Sequence, residues 1–297
     1  MILLNKGRML VEFDRDTDNY INRTDIGNDS NVNVDGFYNA EQLRLAIHFL
    51  VEDLKKKFDA VPIWDKLLCF YPMMGGGFNI IKHNLVSNSY ELLEIYNNPT
   101  MGDLKPYGTC GKIYRSDLIF DFPDNFCAGY FNTKFTDVLG AMCAISAKNN
   151  SNNLSHNPNE RINPNWLGFN ISTRAEAGYI ISGNGGLSNY YNYNRPYEKG
   201  ALIISGKSYP ATTQFVTTNQ GILGSNITVT SSNNIYITFG GRTEQHNTQF
   251  DFIPYFHYAN CFFIGNQLLT LQERTHMANA IYNFNSRLST NPYTNTF

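Results

Sequence analysis

Apolar residues recur at three- and four-residue steps through Leu43, Ile47, Leu50, Val51, Leu54 and Phe58. That spacing places them on one face of a helix and predicts one over 39–58. Asn39 can cap its start, and Gln42, three residues on, completes a capping box. Lys55, Lys56 and Lys57 fill the last turn, where cations favour the helix dipole. A second, short helix is predicted over 63–70, carrying Trp64, Leu67 and Leu68. It stops at Tyr71-Pro72, and Gly75-Gly76-Gly77 follows as a joint. Far downstream, Met277, Ile281, Phe284 and Leu288 form the stripe of a closing helix over 271–288. Thr270 caps it and Glu273 closes another capping box.

From about 109 to 265 the apolar period changes to two. Leu118, Phe120 and Phe122 share one face, as do Leu167, Phe169 and Ile171, and Ile235, Ile237 and Phe239. Further strands are predicted at Tyr179–Ser182, Leu202–Ser205, Ile227–Val229 and Phe252–Phe263. Asn, Gly and Ser clusters separate them at Asn149–Asn153, Gly183–Gly186 and Ser231–Asn234. Many short strands with turn signals between them predict an antiparallel β-sandwich or jelly roll. No alternation of strand and helix is present, which argues against Rossmann and TIM architectures.

Ahead of the first helix, Met9 to Phe13 alternates weakly and then polar residues dominate: Asp14, Asp16, Asp18, Asn19, Asn22, Asp25, Asn28, Asp29 and Asn31. Such a stretch has little to bury by itself and reads as an arm or extended ribbon that needs a partner surface. The expected organisation is an arm over 1–38, a helical segment and linker over 39–108, and a sandwich with its closing helix over 109–297, the last residues frayed.

Composition narrows the partners. Lys plus Arg is 23 and Asp plus Glu is 25, a net charge of −2 with no basic block, so nucleic acid is not expected as a partner. Charged residues are 16%, against roughly 25% in ordinary soluble domains, and 39 Asn take their place. No apolar run approaches the roughly 18 residues that span a bilayer, so no membrane insertion is expected. Apolar Met1–Leu4 precedes Lys6 and Arg8, the reverse of a signal peptide, which suggests a protein kept in the cytoplasm or released by lysis. The five Cys (Cys69, Cys110, Cys127, Cys143, Cys261) form no CxxC and read as small buried hydrophobes.

Catalytic chemistry is not evident. Glycan hydrolysis needs two carboxylates roughly 5 to 10 Å apart. Asp121 and Asp124 are split by Phe122-Pro123, and Glu176, Glu198, Glu244 and Asp251 stand singly, although two strands could still bring a pair together. The six His have no metal-ligand spacing, and His48 lies beside an apolar stripe where packing is the expected role. Oxygens at Asp121, Asp124 and Asn125 suit calcium but are equally ordinary turn residues. No catalytic residue, metal or cofactor is expected.

The most unusual segment is Asn189–Tyr197, NYYNYNRPY. Tyr190, Tyr191, Tyr193 and Tyr197 could stack on sugar rings or on a partner's apolar patch, while Asn192, Asn194 and Arg195 could bond hydroxyls. Three readings stay open: a contact between subunits, a glycan contact, and a long hairpin loop packed on its own domain.

The stretch IWDKLLCFYPMMGGG, with Trp64, Lys66, Tyr71, Pro72, Gly75 and Gly76, together with Lys82, His83, Asn84 and Leu85 and the closing FFIGNQLLTLQERTHMANAIYNFNSRL, resembles a group of phage and prophage virion proteins with a concanavalin A-like (laminin G-like) lectin/glucanase domain. The resemblance covers roughly 40–290, carried at its two ends by packing and capping motifs. It implies a concanavalin A-like antiparallel β-sandwich (jelly roll). It also implies a tail fibre, spike or capsid-surface component, lectin-like and non-catalytic, located on the virion after synthesis in the host cytoplasm. Implied partners are other virion proteins, a host cell-surface glycan and further copies of the chain, with a homotrimer favoured. The alternatives are a polysaccharide-degrading enzyme on the same fold and a cellular carbohydrate-binding module.

Overall fold

The computed structural model describes residues 2–5, 8–24, 26, 40–73, 78–97, 112–117, 125–134, 141–149, 168–174, 178–182, 190–193, 200–207, 214–218, 221–225, 235–246, 249–254 and 258–289. The chain opens on an antiparallel hairpin, β1 (Ile2–Asn5) with β2 (Arg8–Val11). Helix α1 (Arg15–Thr24) follows at once, capped by Asp14, whose Oδ1 accepts the Asp16 N–H at 2.9 Å. The expected extended arm is therefore helical over these residues. Thr17, Tyr20, Ile21 and Thr24 recur at helical spacing and are buried, and the surface they need is α2 (Ala40–Lys55) of the same chain. With only two large apolar residues in that stripe, the polar majority conceals it.

In α2 the expected stripe is buried from Leu43 to Leu54. Asn39 lies outside the described residues, and Gln42 Nε2 donates to the Arg287 carbonyl at 3.1 Å. At its end, Lys55 Nζ lies 2.5 Å from Asp14 and 2.6 Å from Asp16, and 5.2 Å from the centre of the Trp64 ring. Burial acts to raise the Asp14 carboxyl, but Lys55 outweighs it and holds the group below its ordinary value.

The second expected helix is only one turn, α3 (Ile63–Lys66). At Leu67 the backbone turns extended, with φ −91 and ψ 137, and Leu67–Tyr71 is a strand, β3. A five-residue apolar run carries no period of its own; here the open edge of a neighbouring strand decides it. A turn of helix, α4 (Phe78–Ile81), leads to β4 (Leu92–Asn97). Next come β5 (Lys112–Ser116), β6 (Asn125–Lys134), β7 (Ala141–Asn149), β8 (Gly168–Arg174), β9 (Gly178–Ser182), β10 (Tyr190–Tyr193) and β11 (Gly200–Lys207). The chain continues with β12 (Gln214–Thr218), β13 (Gly221–Ser225), β14 (Ile235–Phe239), β15 (Gly241–His246), β16 (Gln249–Pro254) and β17 (Tyr258–Gly265), and ends on α5 (Leu271–Ser289). The expected strands at 118–122 and 227–229 lie outside the described residues, and the single strand expected over Phe252–Phe263 divides into β16 and β17.

Pairing is antiparallel throughout the described strands, in a seven-stranded sheet ordered β10-β9-β8-β7-β14-β5-β4 and a six-stranded sheet ordered β13-β12-β11-β6-β17-β3, with β15 and β16 as a separate hairpin. Aromatic rings join the two large sheets. Phe239 of β14 lies 5.1 Å from Tyr71 of β3 and 5.7 Å from Phe262 of β17, and Phe262 stacks on Tyr130 of β6 at 5.8 Å. A second core lies under the helices, where Leu43, Ile47, Leu50 and Leu54 of α2 cluster with Met277, Ile281, Phe284 and Leu288 of α5.

Gly265 closes β17 where there is no room for a side chain. A Cβ there would stand 2.3 Å from the Lys66 carbonyl oxygen and 2.6 Å from Cys127 Sγ. Backbone and a buried thiol cannot both withdraw, so Gly265→Ala is expected to cost about 2–3 kcal/mol in chemical denaturation; a loss below about 0.5 kcal/mol would contradict this packing.

Candidate functional site

The family-like motifs at the two ends of the chain meet in space. Lys66, the last residue of α3, is buried with its Nζ 2.7 and 2.8 Å from the two oxygens of Glu273 in the first turn of α5. The expected capping box is present: Glu273 N–H donates to Thr270 Oγ1 at 3.2 Å, and Thr270 N–H donates back to Glu273 Oε2 at 2.8 Å. Tyr71 donates its hydroxyl to the Tyr90 carbonyl, and the Pro72 carbonyl accepts the Cys261 N–H at 3.1 Å. Asn84 is fully buried and bonds to five groups. His83 Nδ1 lies 2.6 Å from Glu91, and burial outweighs that carboxylate and holds the imidazole below its usual range. These residues position elements and leave no open chemistry.

The other histidines and cysteines whose side chains are described are structural too. His48 accepts the Asp14 N–H at 3.2 Å, as its packing role requires, and His276 donates Nε2–H to the Asp53 carbonyl at 2.8 Å. Cys69, Cys127 and Cys261 are buried free thiols; burial pushes Cys69 up to about 12 and raises the other two, which makes them unreactive. No cluster of metal-binding side chains occurs among the described residues, and no helix there is long and apolar enough to cross a membrane. Asp121 and Asp124 lie outside those residues; Asn125 begins β6.

The tyrosine-rich segment is a strand over 190–193, not a loop: β10, at one edge of the seven-stranded sheet, paired with β9. Asn194, Arg195 and Tyr197 lie outside the described residues. Register assigns the faces. One cross-strand row runs Tyr114, Phe239, Ile145, Ile171, Ile181, Tyr191; buried Tyr114 and Phe239 identify it as the face toward the other sheet. The next row runs Leu93, Arg115, Thr238, Ser146, Asn170, Ser182, Tyr190, and Leu93 is 42% exposed, so this is the outer face. The alternation of β10 thus assigns Tyr191 and Tyr193 to the inner face and Tyr190 and Asn192 to the outer one. The rows Tyr190–Ser182–Asn170 and Asn192–Ile180–Ser172 complete an outer corner of hydroxyl, amide and aromatic residues around the aliphatic Ile180.

The sequence leaves Glu244 and Asp251 as isolated carboxylates, but the register of the β15–β16 hairpin makes them direct cross-strand partners. A shared hairpin with only two residues between its strands is the signal that would have found them.

No family model matches the chain, and no curated protein matches it. Among solved structures, the binding domain of botulinum neurotoxin DC in a complex with SialylT overlaps at a TM-score of 0.48 and 10% identity, covering 73% of this chain and 52% of that one. The same binding domain with rat synaptotagmin II gives 0.46 and 12%, over 74% and 52%. A structure titled for the dependence of botulinum neurotoxin type C cell entry on two ganglioside molecules gives 0.47 and 12%, over 74% and 52%. The chain spans about half the length of these structures, and overlaps at this level decide neither fold nor function.

Proposed function

We propose that this chain is a non-catalytic, glycan-binding component of a phage virion, a tail fibre, spike or capsid-surface protein, built on a concanavalin A-like sandwich. The observation that carries the binding role is the outer corner of the seven-stranded sheet. Tyr190 and Asn192 fall there on one face with Ser182, Asn170 and Ser172, the residue types that stack on a sugar ring and bond its hydroxyls. The virion role rests on the resemblance of the end motifs, which the Lys66–Glu273 pair ties into one structural unit. Its partners are other virion proteins and a host-surface glycan.

A glycan array probed with the full chain tests the binding role. On the glycan bound best, Tyr190→Ala is expected to weaken affinity roughly tenfold, the loss of one stacking platform, and Asn192→Ala several-fold, with the melting temperature unchanged. A folded chain that binds no glycan, or one indifferent to both changes, would refute it. Recovery of the chain in purified particles from lysed source cells tests the virion role.

The Glu244–Asp251 pairing favours a second reading, a polysaccharide hydrolase using both carboxylates. Release of reducing sugar by the wild type that disappears in Glu244→Gln would establish it over the binding role.

A further inference from the structure

The N-terminal hairpin is apolar along one whole face and half of the other. Its register pairs Ile2 with Val11, Leu3 with Leu10, Leu4 with Met9 and Asn5 with Arg8. Ile2, Leu4, Met9 and Val11 therefore share one face, and Leu3, Asn5, Arg8 and Leu10 the other. Among the described residues no third strand joins either edge, and no other described element packs extensively on the hairpin. A two-stranded ribbon is marginal in water by itself; three or more strands with an apolar face are needed. The hairpin is nonetheless held in place at its base. Phe13 stands edge-on to His48 at 5.5 Å, and Asp14 is paired with Lys55.

We propose that two copies of the chain pair through β2, antiparallel about a two-fold axis at Leu10, to form a four-stranded sheet in the order β1-β2-β2-β1. The sequence of this edge is complementary to itself in that register. Arg8 of each copy falls opposite Glu12 of the other, Met9 opposite Val11, and Leu10 opposite Leu10. Glu12, the first residue past β2, is exposed. A two-fold axis one residue to either side sets Arg8 or Glu12 against Leu10, so charge selects the register. With two residues between Asn5 and Arg8, the hairpin ladder uses the backbone groups of Arg8 and Leu10, and those of Met9 and Val11 face the edge that no described strand pairs with. In the proposed register these two meet each other, which gives paired N–H and C=O groups across the interface. The joined sheet carries eight aliphatic residues on one face, four from each copy, and meets the strand number that the lone hairpin lacks.

The test is the solution mass of the full chain by light scattering. The expected result is about twice 33.8 kDa. Arg8→Glu and Glu12→Arg are each expected to shift the chain to monomer, with circular dichroism unchanged, and the combined Arg8→Glu/Glu12→Arg chain to recover the dimer. Leu10→Cys is expected to cross-link under oxidation, with wild type and Leu3→Cys as reference lanes that do not. A monomeric or trimeric wild type, single variants that remain dimeric, or a double variant that stays monomeric would each overturn the proposal. A trimer would instead bear out the stoichiometry expected from the family resemblance.

Discussion

Replacing Lys66 by methionine is expected to lower the unfolding free energy by about 3–5 kcal/mol, a large share of the roughly 5–15 kcal/mol that holds an ordinary domain. Glu273 is fully buried and Lys66 is 5% exposed. Both carboxylate oxygens accept from Nζ, one of them also receives the Thr270 N–H, and the Leu268 carbonyl accepts a further Nζ bond at 3.3 Å. Methionine matches the stem in volume but leaves a buried anion without its cation, and that uncompensated charge is the main cost. The double change Lys66→Met/Glu273→Gln should recover much of the loss, because neither side chain of the pair then carries a charge while the side chain at 273 still accepts the capping bond. Guanidinium denaturation with matched slopes measures both. A single variant that costs under 1 kcal/mol would show that the pair does not anchor α5.

The second large effect is expected at Asn84. Its Oδ1 accepts the N–H groups of Phe70 at 2.9 Å and Val86 at 3.0 Å; its Nδ2 donates to the Leu68 carbonyl, Ser87 Oγ and the Ser89 carbonyl at 3.0, 2.9 and 3.0 Å. One amide thus ties β3 to the turn after α4, where Arg23 of α1 also reaches the Asn84 and Ser87 carbonyls at 2.6 and 3.0 Å. Asn84→Ala leaves at least the buried Phe70 N–H without a partner, at about 1–3 kcal/mol for each such group, so a total of about 3–5 kcal/mol is expected. Asn84→Asp keeps the acceptor for Phe70 and Val86 but buries a carboxylate against the Leu68 and Ser89 carbonyls, so at neutral pH it is expected to cost at least as much as alanine. Hydrogen exchange at Phe70 separates the two, since only alanine removes its acceptor.

Legibility followed the length of each pattern. Helices α2 and α5 were readable because four or more large apolar residues repeat at helical spacing, and the Thr270–Glu273 capping box was readable because it is local. Helix α1 was hidden: its buried stripe is half threonine, and only the face of α2 makes it apolar enough to dock. Over 67–70 the expected helix is strand instead, because consecutive apolar residues satisfy either period until β17 offers a ladder. The candidate site was half legible. The chemistry of Tyr190–Tyr193 stood out, but which tyrosines share a face with Asn192 followed from the register with β9.

The sequence by itself determined the elements whose signals lie within a few turns or strand residues: two amphipathic helices, a capping box, and the alternating strands at 179–182, 202–205 and 235–239. Only the tertiary structure decided what depends on residues distant along the chain. It closed the ion pair between Lys66 and Glu273, ordered the described strands into two large sheets and two hairpins, set Glu244 opposite Asp251, and assigned Tyr190 to the outer face. The reason is physical. Helix periodicity and capping are satisfied by neighbours within four residues, whereas a strand's partner, face and register are chosen by which distant edge it buries against.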